Sequence, residues 1–236
     1  NTDFIDAIGE LKKYLLDLYG SYMHFTHEGS LHEIEWCELA FKVKCNICNG
    51  LTLLSNEYKA KNGYYKCMNP NCATHNTPKG TLEAKNCERT GFEYLFLANN
   101  YSQGKKIVKK FEQEDYCQLN SHLDFLKLEI EKAKIQIPTD KIPLDWDRQF
   151  EDGLAKKGIY NFQDLFTERN LLILSLLLNK IKSYSKTLSH DKYELLRLIF
   201  SNTVKDTNIM AFTNETWQGG KPTIWSKHAY WIPSQF

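Results

Sequence analysis

Two closely spaced cysteine pairs near residue 50, helical periodicity toward both ends of the chain and strand-like runs between them predict an α+β fold. The expected architecture is a small β zinc-ribbon subdomain flanked by an N-terminal helix and a C-terminal helical subdomain. Its bounds read as 1–31 for the N-terminal helix and loop, 32–111 for the β subdomain, and 112–236 for the helical subdomain with an irregular aromatic and basic tail. The 236 residues are 42% hydrophobic and 25% charged, enough apolar material for one large core or two small ones, which argues against disorder.

From Asp3 to Tyr19, the side chains Phe4, Ile5, Ile8, Leu11, Leu15 and Leu18 recur at three- and four-residue steps. With Thr2 or Asp3 to cap the start and Gly20 to close the end, this is an amphipathic core helix. His24, His27 and His32 follow in what reads as a loop, and with no helix to align them they are taken as solvated side chains rather than ligands. From Glu33 to Lys44, the positions Ile34, Trp36, Leu39, Phe41 and Val43 describe a strand with one slip of phase near Glu38.

That strand leads to Cys45-Asn46-Ile47-Cys48, and after eighteen intervening residues stands Cys67-Met68-Asn69-Pro70-Asn71-Cys72. Two short knuckles with room for a hairpin between them are what a tetrahedral four-thiolate Zn²⁺ site requires, with bonds of about 2.3 Å. Asn49-Gly50 supplies a turn, and Leu51–Leu54 and Tyr64–Lys66 read as the two strands of the hairpin. Two disulfides, a partial set of reduced thiols, or His75 in place of Cys72 are competing readings of the same residues. Cys37, Cys87 and Cys117 raise the total to seven, and an odd number favours a reducing compartment over a disulfide scaffold. Thr81–Lys85, Phe92–Ala98 and Lys105–Phe111 are further strand candidates. A subdomain this poor in large apolar groups would depend on its ion for folding free energy, on the order of 10 kcal/mol in small zinc modules.

After Glu112 a helical pattern of Leu119, Leu123, Phe125, Leu126, Leu128 and Ile130 runs to Ile135-Gln136-Ile137-Pro138, and Pro138–Asp147 reads as a connector. A helix capped by Thr167 runs to about Ser183, apolar almost all round, which requires a central, buried position. A last helix, Asp191–Asp206, is expected to bury Leu195, Leu196, Leu198, Ile199 and Val204.

Several function classes find no support. There is no G-x-G dinucleotide turn, P-loop, H-E-x-x-H or G-x-S-x-G motif, and no cysteine or serine has a defensible histidine partner. Four cysteines would close a zinc shell and leave no catalytic position. A net charge of +1 gives no whole-chain attraction for a polyanion, yet residues 41–90 carry eight basic against three acidic side chains and residues 170–236 eight against four. The second stretch interleaves Trp217, Trp225, Tyr230 and Trp231, which suits stacking at bases as well as burial. The longest apolar run, Leu171–Leu178, is too short to span a bilayer and no leader pattern opens the chain, so a cytoplasmic protein without membrane partners is expected. A first residue other than Met suggests an excised piece.

The stretch Gly158-Ile159-Tyr160-Asn161-Phe162-Gln163-Asp164-Leu165-Phe166-Thr167-Glu168-Arg169-Asn170-Leu171-Leu172 resembles the zinc-ribbon-containing adenine-specific DNA methyltransferases of bacteria. There the corresponding residues run Tyr-Gly, a short aromatic segment, then Leu-Phe-Thr-Pro-Arg-Gln-Leu-Leu, so Glu168 stands for Pro and Asn170 for Gln. The likeness continues back through Ile142-Pro143 and Ile137-Pro138 to the cysteines, and forward to Trp225-Ser226-Lys227-His228-Ala229, similar to a Phe-x-Arg-His-Ala motif. It implies the region between the S-adenosylmethionine motif and the catalytic Asn-Pro-Pro-Tyr, both absent here. This chain would then be inactive alone, a non-catalytic target-recognition part of a restriction-modification enzyme that contacts double-stranded DNA and the catalytic domain of its own polypeptide. S-adenosylmethionine would bind only the parent enzyme. A scaffold joining the catalytic halves, or a free-standing zinc-ribbon nucleic-acid binder, are the alternatives. The expected metal ligands are Cys45, Cys48, Cys67 and Cys72; the expected DNA-facing residues are Arg169, Lys221, Lys227 and His228.

Overall fold

The computed structural model describes residues 2–61, 63–75, 82–100, 106–143, 145, 154–155, 158–209, 211–212 and 223–224. The fold is α+β, as expected, and divides into two compact units that the chain enters more than once. One comprises residues 1–36, 97–138 and 165–236; the other 37–96 and 139–164. These bounds differ from consecutive blocks 1–31, 32–111 and 112–236, because apolar faces distant in sequence find each other.

In the first unit, helix α1 (Thr2–Tyr19) is followed by a 3₁₀ turn (Gly20–Met23) and an antiparallel hairpin, β1 (His24–His27) with β2 (Ser30–Glu33). The three histidines thus lie on paired strands, not in a loop. The turn has left-handed backbone at Glu28 (φ 49°) and Gly29 (φ 77°), the two-residue geometry whose twist matches flanking strands. Helix α2 (Gln113–Lys132) starts with a reciprocal cap: Asp115 accepts from the Glu112 backbone while also pairing with Lys109 at 2.8 and 2.9 Å. Helix α3 (Glu168–Ser183) starts where Thr167 Oγ1 accepts the Asn170 N–H at 3.2 Å, a contact worth about 1 kcal/mol. Helix α4 (His190–Asp206) follows, and β10 (Ala211–Phe212) pairs antiparallel with β11 (Thr223–Ile224).

The nearly all-apolar α3 is central, as its composition required. One side joins Ala7 and Leu11 of α1 and Leu196, Phe200 and Val204 of α4 through Leu174, Leu177 and Ile181. The other meets Leu18, Leu126 and Ile130 through Leu172, Ile173 and Leu176. On α4 the buried ridge has a four-residue spacing, so Leu195, Leu198 and Ile199, expected inside, are 44%, 66% and 45% exposed. Among the described residues, no helix is long and apolar enough to cross a membrane.

The second unit is organised by β3 (Trp36–Lys44), β4 (Leu51–Leu53) and the first part of β8 (Arg89–Asn100), in the order β4-β3-β8, while β9 (Lys106–Lys110) belongs to the first unit. The strand expected from Glu33 is interrupted before Trp36, where Ile34 N–H instead donates to Met23 O at 2.6 Å. A second sheet orders β5 (Lys59–Lys61), β6 (Tyr64–Tyr65) and β7 (Leu82–Glu83) as β5-β6-β7. Leu51–Leu53 and Tyr64–Tyr65 therefore do not pair as one hairpin: the former lies on β3, the latter between β5 and β7. The described part of the expected connector Pro138–Asp147, residues 138–143 and 145, is not a bare link either. Ile142 N–H donates to Tyr160 O at 2.8 Å, Phe162 N–H to Asp140 O at 3.0 Å, and Ile142 and Ile159 are buried.

Candidate metal centre

Strand β3 is fixed against β4 by the register Val43 to Thr52 and Lys44 to Leu51, and both side chains of the first pair are fully buried. Cys45 therefore leaves the sheet from a rigid edge. The chain then folds back at once: Asn49 N–H donates to Cys45 O and Cys45 N–H to Gly50 O, each at 2.9 Å. Asn49 takes left-handed backbone (φ 56°), which asparagine tolerates better than most residues. Gly50 relieves a different constraint, since a Cβ there would stand 3.2 Å from Cys48 Sγ and one of the two would have to shift. The second knuckle turns at Asn69, whose Oδ1 accepts from Asn71 N–H and whose carbonyl accepts from Cys72 N–H, both at 3.0 Å.

These two turns bring Cys45, Cys48, Cys67 and Cys72 together, with all four Sγ atoms within 4.8 Å of one another. Cys45 and Cys72 are 3.7 Å apart and Cys48 and Cys67 3.6 Å. A disulfide needs about 2.05 Å, and the cysteines are free thiols. With metal–sulfur bonds of about 2.3 Å, the edge of a tetrahedron of sulfurs is about 3.8 Å, close to the observed separations. The group can hold a metal ion. His75 does not take the place of Cys72: its Nδ1–H donates to Cys67 O at 2.6 Å, and Cys72 Sγ is in the cluster.

Hydrogen-bond donors converge on the sulfurs. Ile47 N–H reaches Cys45 Sγ at 3.5 Å, Gly50 N–H reaches Cys48 Sγ at 3.4 Å, and Asn69 N–H reaches Cys67 Sγ at 3.4 Å. Thr52 Oγ1–H donates to Cys67 Sγ at 3.4 Å and accepts Met68 N–H at 3.3 Å, tying the second knuckle to β4. Thr74 Oγ1 lies 3.2 Å from Cys72 Sγ and 3.9 Å from Cys45 Sγ. Donors stabilise thiolates and burial opposes them. At Cys72 the Thr74 hydroxyl and N–H prevail and bring the thiol down to about 6. At Cys67 burial prevails over Thr52 and Asn69 and raises it to about 11. At Cys45 burial pushes up, but the N–H groups of Cys48 and Ile47 outweigh it and the thiol falls below its usual value. A set of neutral thiols gains little from so many donors, whereas a metal-bound thiolate set gains from each.

The surrounding core is small. Val43, Leu82 and Cys87 are the other buried members of the cluster that contains Cys45, Cys67 and Cys72. Cys87, buried and pushed up by that burial, donates to Glu83 O at 3.3 Å and is outside the four-sulfur group.

Sequence reasoning found the four sulfurs and the Asn49-Gly50 turn. It missed Thr52 and Thr74, since a hydroxyl that serves a sulfur from another strand leaves no spacing signal. Of the four residues expected to face DNA, Arg169 sits on the first turn of α3, where its Nη2–H donates to Tyr22 O at 3.1 Å and its guanidinium stands 5.2 Å from the centre of the Tyr19 ring. Lys221, Lys227 and His228 lie outside the described residues. Comparison of the chain with family models, curated proteins and solved structures finds no match.

Proposed function

We propose that the four cysteines hold one structural Zn²⁺ in a zinc ribbon, and that the chain is the non-catalytic DNA-recognition region of a bacterial adenine-specific DNA methyltransferase. The observation that carries the reading is the set of four sulfurs at near-tetrahedral separations, served by donors from both knuckles. An all-thiolate tetrahedral set suits Zn²⁺, and a closed shell leaves no site for an activated water, so the ion's role is in folding. The DNA half of the reading is supported by the resemblance over Gly158–Leu172 and Trp225–Ala229 and by the local basic excess. S-adenosylmethionine would be bound by the parent enzyme and not by this chain.

The engagement of Arg169 with Tyr22 O weighs against it as a DNA-facing residue, since the guanidinium already serves a packing contact within this chain, and does not bear on the choice between DNA recognition and scaffold. Salt dependence separates the two. The purified chain should contain about one Zn²⁺ and bind duplex DNA with a log affinity that falls linearly with log salt; each lost phosphate contact flattens the slope by roughly 0.9. Lys221→Ala with Lys227→Ala should flatten it by between one and two units without lowering the melting temperature. Absence of metal from protein purified without chelator overturns the zinc assignment. An unchanged slope, with lost stability or lost assembly in a full-length enzyme, overturns the DNA-facing assignment in favour of the scaffold.

A further inference from the structure

The β1–β2 hairpin places two of its three histidines on one face. In an antiparallel pair with His24 opposite Glu33, Phe25 opposite His32 and His27 opposite Ser30, the side chains of Phe25, His27, Ser30 and His32 share one side, and His24 lies on the other with Thr26, Leu31 and Glu33. His27 and His32 are diagonal neighbours, with ring centres 6.4 Å apart and planes at 62°. Both are half-buried, and His32 is held from behind by Phe25, whose buried ring lies 5.6 Å away. Glu28, in the turn, brings a carboxylate oxygen 4.0 Å from His27 Nε2.

Glu28 occupies left-handed backbone with φ 49°. Glycine or asparagine holds such a turn position with less strain, so the fold of the hairpin by itself gives no reason for glutamate. A carboxylate beside one imidazole of a facing pair does give one, since a turn of the exposed Glu28 side chain can bring it to an ion held between the rings. With a metal–nitrogen bond of about 2.1 Å, two imidazoles on one tetrahedral ion have ring centres about 5 Å apart, so the rings must close by roughly 1 Å, a small rotation of two half-exposed side chains. Rings inclined to one another can aim both edge nitrogens at a single point, as a stacked pair cannot.

We propose that His27, His32 and Glu28 form a second metal site, for a divalent transition ion of the kind imidazole prefers, such as Ni²⁺, Cu²⁺ or Zn²⁺. Three protein ligands from a surface hairpin leave the remaining positions to water, so the ion exchanges readily and contributes little to folding. The site belongs to the first unit, shares no residue with the cysteine centre and does not depend on the reading given to that centre.

The test is calorimetric titration of Ni²⁺ into the full chain supplied beforehand with one equivalent of Zn²⁺, with absorption followed in parallel, since nickel bound to thiolate gives charge-transfer bands that nickel on imidazole lacks. One Ni²⁺ should bind per chain without those bands. His27→Gln and His32→Gln should each weaken it at least tenfold. His24→Gln, on the opposite face, should leave it unchanged. Glu28→Gly should weaken it several-fold while raising the melting temperature, because it relieves the left-handed glutamate. A wild-type chain that binds no Ni²⁺, binds it only with thiolate bands, or loses it equally with His24→Gln overturns the site.

Discussion

Thr52→Val is the most discriminating perturbation of the cysteine centre, because it keeps side-chain shape, leaves all four cysteines in place and removes two hydrogen bonds. The hydroxyl is fully buried between its donor Met68 N–H and its acceptor Cys67 Sγ. Loss of the bond to a metal-bound thiolate costs about 1 to 2 kcal/mol, as for other hydrogen bonds to charged acceptors. Met68 N–H is then left without that partner in a part-buried setting, which adds up to about 1 kcal/mol. The total of roughly 1 to 3 kcal/mol corresponds to about a 5- to 150-fold loss of Zn²⁺ affinity, centred on the range for residues that orient metal ligands. Competition against a chromophoric chelator measures it directly. In metal-free protein the same change should cost less, because a neutral thiol is a poor acceptor, and Cys67 without metal is a thiol held up at about 11. Equal stability losses with and without Zn²⁺, or an affinity within twofold of wild type, would refute the role given to Thr52.

Gly50→Ala places a methyl group 3.2 Å from Cys48 Sγ and should lower Zn²⁺ affinity about tenfold, by the order of 1 kcal/mol for overpacking, in the same competition assay. Leu176→Ala, at a residue 2% exposed in the centre of the helical unit, should cost about 2 to 5 kcal/mol in chemical denaturation. His122 should make stability pH-dependent. It is fully buried, and burial lowers it from 6.5 to about 4, so the unfolded chain binds the extra proton between those values. Its contribution is then complete above pH 6.5 and is lost as pH falls toward 4, by about 3 kcal/mol in all. His122→Gln should remove about 2 kcal/mol of the difference in denaturation free energy between pH 7 and pH 4.5.

What the sequence revealed, and what it concealed, follows from where each signal is stored. The α3 cap and its central burial were legible because Thr167 and an unbroken apolar run act locally, whatever packs against them. The four-sulfur group was legible because ligation fixes spacing within each knuckle. On α4, five apolar residues in six (Leu195, Leu196, Leu198, Ile199, Phe200) fit several helical faces at once, and only contact with α1 and α3 selects the ridge through Leu196, Phe200 and Val204. Strand β5 is Lys-Ala-Lys, with no apolar side to announce it, so the sequence pattern offers Tyr64–Tyr65 no partner but Leu51–Leu54. The β1–β2 turn escaped notice because its first central residue is Glu28, where asparagine or glycine is the usual sign.

Arg169 shows how one residue can answer two demands, and which demand the fold has met. A cation in the first turn of a helix opposes the positive end of the dipole, and on sequence alone an external phosphate is an economical remedy. Here the remedy is internal. The guanidinium donates to Tyr22 O and faces the Tyr19 ring, and the same turn carries Glu168, paired with Lys127 at 2.8 Å. Arg169 Nε is buried without a hydrogen-bond partner, so the side chain is held by packing at some cost rather than left free to seek an anion. A phosphate-facing surface on the described residues is better sought where lysines project: Lys44 at the end of β3, beside the first knuckle, and Lys59 and Lys61, two residues apart on β5, are all exposed, whereas Lys42 is paired with Glu93 at 3.1 Å. Those three lysines belong to the same unit as the four cysteines, and the pairing of Lys44 with Leu51 holds the first of them at the sheet edge from which Cys45 departs.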